Sequence, residues 1–115
     1  RKAGLSRRWT LQNLRSLLHL FRNRVMWVLK YTGQFKKDLK RYQNKPKKIE
    51  SLMKVLTFLK ETGSVPDEYY PHMLKGDYSG FMECHVENDF LLIWIDEESN
   101  QIRLTRLGSH SELFK

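Results

Sequence analysis

Two stretches near the C-terminus alternate between apolar and polar residues, and a wholly apolar stretch lies between them. Residues 81–86 alternate, and so do residues 101–107. Residues 90–95 form a continuous apolar run, which is typical of a central strand covered on both faces. Polar residues at 87–88 and 97–100 are able to turn the chain. The pattern therefore predicts a three-strand antiparallel meander.

The register of the first hairpin decides which side chains share a face of the sheet. A two-residue turn pairs His85 with Phe90 and places Asp89 at the mouth of the hairpin. One face then carries His85, Phe90, Leu92 and Trp94. The other face, which a helical layer should cover, carries Met82, Cys84, Val86, Leu91, Ile93 and Ile95. Because this face places a histidine beside aromatic rings, we expect it to be a functional surface rather than one that is simply solvated.

The chain before this meander is predicted to form one strand and two helices. The strand is expected at residues 25–31, and Thr32 and Gly33 end it. The apolar stripe of the first helix consists of Phe35, Leu39 and Tyr42. Pro46 opens the second helix and Gly63 ends it. The stripe of this second helix, all of it expected in the core, consists of Ile49, Leu52, Met53, Leu56 and Leu59.

The predicted domain organisation separates residues 1–25 from residues 26–115. The order strand, helix, helix and three strands, with a loop at residues 64–75, predicts an α+β fold with an antiparallel sheet packed on a helical hairpin. Residues 1–25 contain no acidic residue, and Thr10 is a predicted N-cap of an amphipathic helix. This basic extension has the character of a transit peptide, a membrane-surface helix or a nucleic-acid-binding arm. We expect that it does not belong to the folded domain.

Charge is distributed unevenly along the chain, whose net charge is +8. Residues 1–30 contain eight Lys or Arg and no acidic residue, residues 31–60 are net +7, and residues 61–115 are net −7. A basic helical layer beside a mixed sheet suits a polyanion or an acidic protein partner, although Lys-rich helices are also often simply solvated. The single Cys excludes an internal disulfide. No apolar run approaches the length of about 20 residues that spans a bilayer.

The candidate chemical groups are His72, His85, His110, Asp89 and Arg106. A meander is able to bring them to one end or face of the sheet. Unperturbed histidine titrates near pH ~6.5, so two histidines suit the roles of general base and general acid in one turnover. An arginine supplies charge for a developing oxyanion or phosphorane. The set fits metal-free cleavage of RNA, in which a ribose 2′-OH attacks its own phosphate, and no Gly-rich phosphate loop or Cys-x-x-Cys pair points elsewhere.

Other interpretations of these residues stay open. A zinc site formed by His72, His85, His110 and Asp89 has no compact ligand spacing in its favour. Any single histidine is more often structural than catalytic. Cys84 and His85 are adjacent on a strand and point opposite ways, so we expect Cys84 to pack as a small apolar residue rather than to share a metal.

The C-terminal part of the sequence resembles a known protein family. The segments LKG at residues 74–76, GFMECHVENDFLLIW at residues 80–94 and LTRLGSHSELF at residues 104–114 are similar to the YafQ-type toxins of the RelE/ParE superfamily. The similarity extends more loosely back to Met26, and the predicted order of elements agrees with it. The combination of His-Val-x-x-Asp, an apolar strand and Arg-x-Gly-x-His-x-x-x-Phe is specific.

The resemblance implies a toxin of a type II toxin–antitoxin system that acts in the cytoplasm as a ribosome-dependent mRNA endonuclease. It implies metal-independent acid–base catalysis with 2′-OH attack and without a cofactor. The implied partners are a cognate DinJ/RelB-like antitoxin, the ribosome and mRNA, whereas no membrane is expected and no DNA for the toxin by itself. The alternatives are a non-catalytic ParE-like toxin that binds a protein target and an RNA-binding module without turnover. Three histidines grouped with an aspartate and an arginine favour the enzyme, because a pure binder has no need of them.

The resemblance also implies roles for individual residues. The catalytic positions are His72, His85, Asp89, His110 and Arg106. Of the histidines, His110 is favoured as the acid. The substrate-binding positions are Phe90, Phe114 and Lys75. Two residues depart from the family: Phe90 stands where Trp is frequent, which keeps a stacking face, and Met82 stands where Arg is common, which removes a phosphate contact.

Overall fold

The computed structural model describes residues 10–24 and 26–114, with side chains for residues 10–17 and 26–114. The helices are α1 (Leu11–Arg24), α2 (Gly33–Lys40), α3 (Pro46–Thr62) and α4 (His110–Leu113). The strands are β1 (Val28–Tyr31), β2 (His72–Met73), β3 (Met82–Glu87), β4 (Phe90–Glu97) and β5 (Gln101–Gly108). They form one sheet in the order β1-β5-β4-β3-β2, in which β1 is parallel to β5 and the other neighbours are antiparallel. The predicted α+β fold and its meander are confirmed. The prediction of an antiparallel sheet was wrong for β1, whose parallel pairing with β5 is possible because α2 and α3 lie in the long connection between them.

Short local signals fix the ends of the helices that cover the sheet. Thr32 caps α2, since its hydroxyl oxygen accepts a hydrogen bond of 2.9 Å from the Phe35 N–H. Pro46 occupies the first turn of α3. Gly63 ends α3 in the left-handed conformation, and a Cβ atom there would lie 2.5 Å from the Trp27 ring. Both signals predicted from the sequence for the ends of α3 are therefore confirmed.

The first strand is shorter than predicted. β1 begins at Val28, and the N–H of Trp27 donates instead to the carbonyl of Lys60 in α3. Val25, the predicted start, lies outside the described residues. The strand is shortened because Trp27 turns toward the end of α3 and packs over it instead of continuing beside β5.

The main core lies between α2, α3 and one face of the sheet. Its buried members are Phe35, Tyr42, Leu52, Val55, Leu59, Val65, Cys84, Val86, Phe90, Leu92, Trp94, Ile102, Leu104 and Leu107. The prediction that Met53 is a core residue was wrong, because its side chain is 62% exposed. Leu52, Val55 and Leu59 lie at helical spacing toward the sheet, and Met53 falls on the flank of that stripe.

The predicted register of the first hairpin was wrong by one residue. His85 pairs with Leu91 rather than with Phe90, while Glu87 pairs with Phe90 across the turn at residues 88–89. A bulge between His85 and Glu87 absorbs the extra residue. The odd-numbered residues at the start of β4 therefore share the face of His85, and the even-numbered ones face the helices.

The sheet face opposite the helices is here called the open face, and it carries Glu83, His85, Leu91, Ile93 and Arg106. A second, smaller core covers part of it. This core consists of Leu91, Ile93 and Leu113, with Leu74, Tyr78 and Phe81 against them. β2 and α4, which border the open face, were not predicted; β2 lies in the segment expected to be a loop.

α1 occupies the segment for which an amphipathic helix was predicted. The hydroxyl oxygen of Thr10 accepts a hydrogen bond from the Asn13 N–H, as expected of the N-cap. The side chains of Leu11, Leu14 and Leu17 are exposed. None of the described helices is long and apolar enough to cross a membrane. The division of the chain at residue 26 stays a prediction.

Candidate active site

The open face carries the predicted chemical groups in two neighbouring cross-strand rows. The first row is His72, Glu83, Ile93 and Arg106. The second row is His85, Leu91 and Gly108. Opposed residues of antiparallel strands project to the same face, with Cβ atoms about 4.5–5.5 Å apart. The pairing thus brings His72, His85 and Arg106 to one face, and His110 follows Gly108 by two residues.

Both ring nitrogens of His72 contact the protein. Nδ1 lies 2.9 Å from the carbonyl oxygen of Tyr70, and Nε2 lies 3.1 Å from Glu83 Oε1. A carbonyl oxygen only accepts, so Nδ1 carries the proton in the first contact. Glu83 is buried, and its second carboxylate oxygen has no hydrogen-bond partner among the described residues. Sequence reasoning missed Glu83 as a site residue, although it lies two residues before His85 in the alternating stretch 81–86 and so shares its face.

His85 lies against two other rings. Its centroid is 5.8 Å from that of Tyr70, in an edge-on arrangement, and 6.4 Å from that of His72. The His85 ring is half-buried and forms no hydrogen bond with any described residue. A general base or acid needs one ring nitrogen open to the substrate, and neither nitrogen of His85 is bound to a described residue.

His110 opens α4 and stands beside Asp89. The His110 N–H donates to Asp89 Oδ1 over 2.9 Å, and the ring Nδ1 lies 3.8 Å from the same oxygen. The ring is packed against Phe114 with a centroid separation of 5.5 Å. Asp89 thus fixes the start of α4 through the backbone, and the His110 ring stays exposed at the end of the second row.

Arg106 is bound by a buried carboxylate from α2. Its Nε donates to Asp38 Oδ2 over 2.8 Å, and Oδ2 also accepts from the Leu107 N–H over 3.0 Å. Burial alone raises the pKa of Asp38, but the hydrogen bonds from Arg106, Leu107 and Gln34 outweigh it, so the pKa lies below its ordinary value. The hydrogen bond to Asp38 also raises the pKa of Arg106. Sequence reasoning missed Asp38, which had been hidden within a Lys-rich helix.

Nη2 of Arg106 also donates to Asp38, to Oδ1 over 3.4 Å, whereas Nη1 faces an aromatic side chain. Nη1 lies 3.5 Å from the Tyr78 hydroxyl. The Tyr78 ring meets the Phe114 ring edge-on, with centroids 5.7 Å apart. Phe114 therefore lies between Tyr78 and His110, beside the predicted catalytic residues. Tyr78 was another residue that sequence reasoning missed.

Three further predicted positions have different surroundings. Phe90 is 0% exposed and packs against Tyr42 under the helices, so its ring has no face for a nucleotide and its predicted stacking role was wrong. Met82 packs against the helix-side core rather than on the open face. Lys75 is exposed on the loop before β3.

The described residues include no group of three or more His, Cys, Asp or Glu side chains placed to hold a metal ion. Cys84 is buried on the helix side, where burial raises the pKa of its thiol to about 12. The predicted site residues that carry a group able to transfer a proton are His72, His85 and His110, and Arg106 carries a positive charge.

The chain is similar in sequence to known proteins of one family. Residues 27–115 match the family described as the bacterial toxin of the type II toxin–antitoxin system, YafQ. The chain is 34% identical over 87 residues to the mRNA interferase toxin YafQ of Escherichia coli K12, covering 75% of this chain and 94% of that protein.

Solved structures give the same result. The E. coli DinJ–YafQ toxin–antitoxin complex contains a chain with a TM-score of 0.68 and 32% identity, covering 77% of this chain and 98% of that one. A metal-bound toxin from Helicobacter pylori has a TM-score of 0.69 and 37% identity, covering 77% of this chain and 100% of that one. The chain therefore belongs to the YafQ family of bacterial toxins of type II toxin–antitoxin systems.

Proposed function

We propose that this toxin is an mRNA interferase, an endoribonuclease that cuts mRNA on the ribosome by metal-independent acid–base chemistry. The observation that carries the proposal is the cross-strand pairing, which places His72, His85 and Arg106 on one face, next to His110. A surface for protein binding alone does not require these groups together. The E. coli relative is itself named an mRNA interferase.

In the proposed reaction a ribose 2′-oxygen attacks the adjacent phosphorus while the bond from phosphorus to the 5′-oxygen breaks. His85 removes the proton of the 2′-OH, because both of its ring nitrogens are open to a substrate. His110 donates a proton to the leaving 5′-oxygen, since its exposed ring lies at the other end of the row. The products are a 2′,3′-cyclic phosphate and a 5′-OH.

Arg106 supplies positive charge to the phosphate oxygens as negative charge develops in the transition state. Asp38 occupies one side of its guanidinium, and Nη1 points toward Tyr78 on the other side. Phe114, beside His110, offers an exposed ring on which a base of the message stacks. Lys75 provides a further cationic contact at the edge of the site.

The proposed partners follow from charge and from the relatives. One structural relative is seen in complex with the antitoxin DinJ. We infer that an antitoxin of this kind neutralises the present toxin in the cytoplasm, and that an acidic segment of it lies on the basic helices. Ribosomal RNA has the same charge complementarity.

The nucleophile is tested with a defined message in the ribosomal A site that carries one 2′-deoxy nucleotide at the scissile position. We expect the all-ribose message to be cut there, leaving a cyclic or 3′-phosphate end, and the deoxy message to stay intact. Product ends are identified by mass spectrometry and by their response to phosphatase and kinase.

The matched control carries the 2′-deoxy nucleotide one position away, and we expect it to be cut normally. Cleavage of the deoxy message at the scissile position would exclude the ribose hydroxyl as nucleophile. An uncut all-ribose message would instead count against mRNA cleavage itself and favour a binding toxin.

A further inference from the structure

The helix that carries His110 is too short to be stable without contacts to the rest of the domain. α4 has four residues, His110–Leu113, so it forms little more than one turn. Leu113 is buried in the small core of the open face. A capping box at Ser109 and Glu112 closes the first turn. The direction of the His110 ring therefore depends on what else fixes α4 to the domain.

Glu112 makes that connection. Its Oε1 accepts from the Ser109 N–H at 2.8 Å and also from the hydroxyl of Tyr42, and its Oε2 lies 3.7 Å from Arg41 Nη1. Gly108 leaves the room for this carboxylate, since a Cβ atom there would lie 2.7 Å from Glu112 Oε1. One carboxylate thus joins α4 both to its own N-cap and to residues that immediately follow α2.

Tyr42 is itself fixed in the core. It is 6% exposed, and its ring centroid lies 4.6 Å from that of Phe90. Burial and the hydrogen bond to Glu112 raise the pKa of the Tyr42 hydroxyl to about 12, and that hydrogen bond also lowers the pKa of Glu112. The hydroxyl therefore keeps its proton, and the carboxylate stays charged, across the range in which the toxin would act.

The same stretch of chain also holds Arg106. Asp38, Arg41 and Tyr42 lie at the i, i+3 and i+4 spacing that brings side chains to one side of a helical turn. Asp38 binds the Arg106 guanidinium, while Arg41 and Tyr42 contact Glu112. These three residues are here called the brace. The brace contacts Arg106, which stabilises negative charge in the proposed reaction. It also contacts α4, which carries the proton donor His110.

We propose that the brace sets the position of His110 relative to Arg106, and that Tyr42 and Glu112 are positioning residues for cleavage. The inference rests on the proposed function. Neither residue touches the substrate. Tyr42 acts through Glu112, Glu112 acts through α4, and α4 directs the His110 ring. A misplacement of about 1 Å at such a distance lowers the rate of a positioned reaction strongly.

The test replaces one hydroxyl group. Tyr42→Phe keeps the ring against Phe90 and removes only the hydrogen bond to Glu112. We expect the single-turnover rate at saturating ribosomes to fall roughly tenfold, with the half-saturating ribosome concentration unchanged. In a His110→Ala background we expect Tyr42→Phe to have no further effect, because two residues that act through one group are not additive.

Two matched variants serve as controls. Tyr31→Phe removes the hydroxyl of an exposed tyrosine on β1, and its cleavage rate should equal that of the unmodified toxin. Glu112→Gln keeps an acceptor oxygen for Tyr42 and for the N-cap, so it should retain more activity than Tyr42→Phe. Thermal unfolding of every variant shows whether the domain is intact.

Amide hydrogen exchange gives an independent readout of the brace. The Leu113 and Phe114 amides donate to the Ser109 and His110 carbonyls, and they should exchange faster in Tyr42→Phe than in the unmodified toxin. Equal exchange, an unchanged cleavage rate, or an additive effect in the His110→Ala background would each overturn the inference. If the unmodified toxin does not cut mRNA, the proposed function fails, and hydrogen exchange alone decides on the brace.

Discussion

The three histidines of the site differ in what their ring nitrogens contact. His72 has a carbonyl on one nitrogen and the Glu83 carboxylate on the other. Among the described residues, neither ring nitrogen of His85 has such a partner, and the His110 ring has Asp89 alone, with Nδ1 at 3.8 Å from Oδ1. A ring that exchanges protons with RNA needs an open nitrogen. We therefore expect His85 and His110 to carry out proton transfer and His72 to support the His85 ring, against which it packs.

We predict that His85→Ala and His110→Ala each lower the single-turnover cleavage rate by about 10²–10⁴-fold, the usual contribution of a general acid or base. Both rings are at least partly exposed, so their removal should leave folding and antitoxin binding intact. The measurement is the cleavage rate of a ribosome-bound message, with circular dichroism as the check on folding.

His19→Ala is the control histidine, because His19 lies outside the region that matches the family, residues 27–115. Its cleavage rate should equal that of the unmodified toxin. A His85→Ala toxin that cuts at the normal rate would remove His85 from the chemistry and leave it as a packing residue beside Tyr70.

The sequence predicted the helices and strands that are long enough to show hydrophobic periodicity. It missed the elements that are too short to show it. Alternation over six or more residues revealed β3 and β5, and the apolar run between them revealed β4. β2 has two residues and α4 has four, so neither leaves a periodic signal, yet they carry His72 and His110.

Long-range pairing was equally hidden from the sequence. The bulge between His85 and Glu87 adds one residue to β3 that the alternation does not reveal. Because of it, the sequence analysis assigned Phe90 and Leu91 to the wrong faces of the sheet. The partnership of Asp38 with Arg106 spans 68 positions. A helix rich in Lys gives no sign that one of its polar residues is buried. The resemblance to a family indicated candidate catalytic positions, Asp89 among them, but not Asp38 and Glu83, the carboxylates that contact Arg106 and His72.

Removal of residues 1–25 should leave the domain intact. The sheet and both cores are formed by residues 27–113, and the Leu11, Leu14 and Leu17 side chains are exposed. We expect a chain that starts at Met26 to keep its thermal midpoint. A loss of several degrees, equivalent to about 1 kcal/mol in a domain of this size, would show that α1 packs on the domain.

A deeper truncation is the matched control for that experiment. A chain that starts at Thr32 also lacks Trp27 and β1, and therefore lacks the packing against Gly63 and the parallel pairing with β5. Its midpoint should fall clearly. Equal midpoints for both truncations would mean that unfolding does not report on this edge of the sheet.

Across the whole molecule, charge is separated between the helices and the sheet. Residues 31–60 are net +7 and residues 61–115 are net −7. Some basic residues are partly neutralised, as Lys48 is by Glu87 and Lys30 is by Glu97. Lys36, Lys37 and Lys40 on α2 form no ion pair with a described residue. These three lysines therefore offer charge to an external polyanion.

We predict that the affinity of the toxin for ribosomes falls steeply as the salt concentration rises. The reason is that lysine and arginine side chains displace the counterions of the RNA phosphates that they bind. Replacing Lys36, Lys37 and Lys40 by Gln should weaken binding and lower the slope of log affinity against log salt by about 1 for each phosphate that the toxin no longer binds. Lys30→Gln, at a lysine already paired with Glu97, should barely change the slope. The measurement is ribosome co-sedimentation between about 50 and about 200 mM salt. Equal affinities at both salt concentrations would show that the basic helices do not bind ribosomal RNA, whatever the chemistry of the open face.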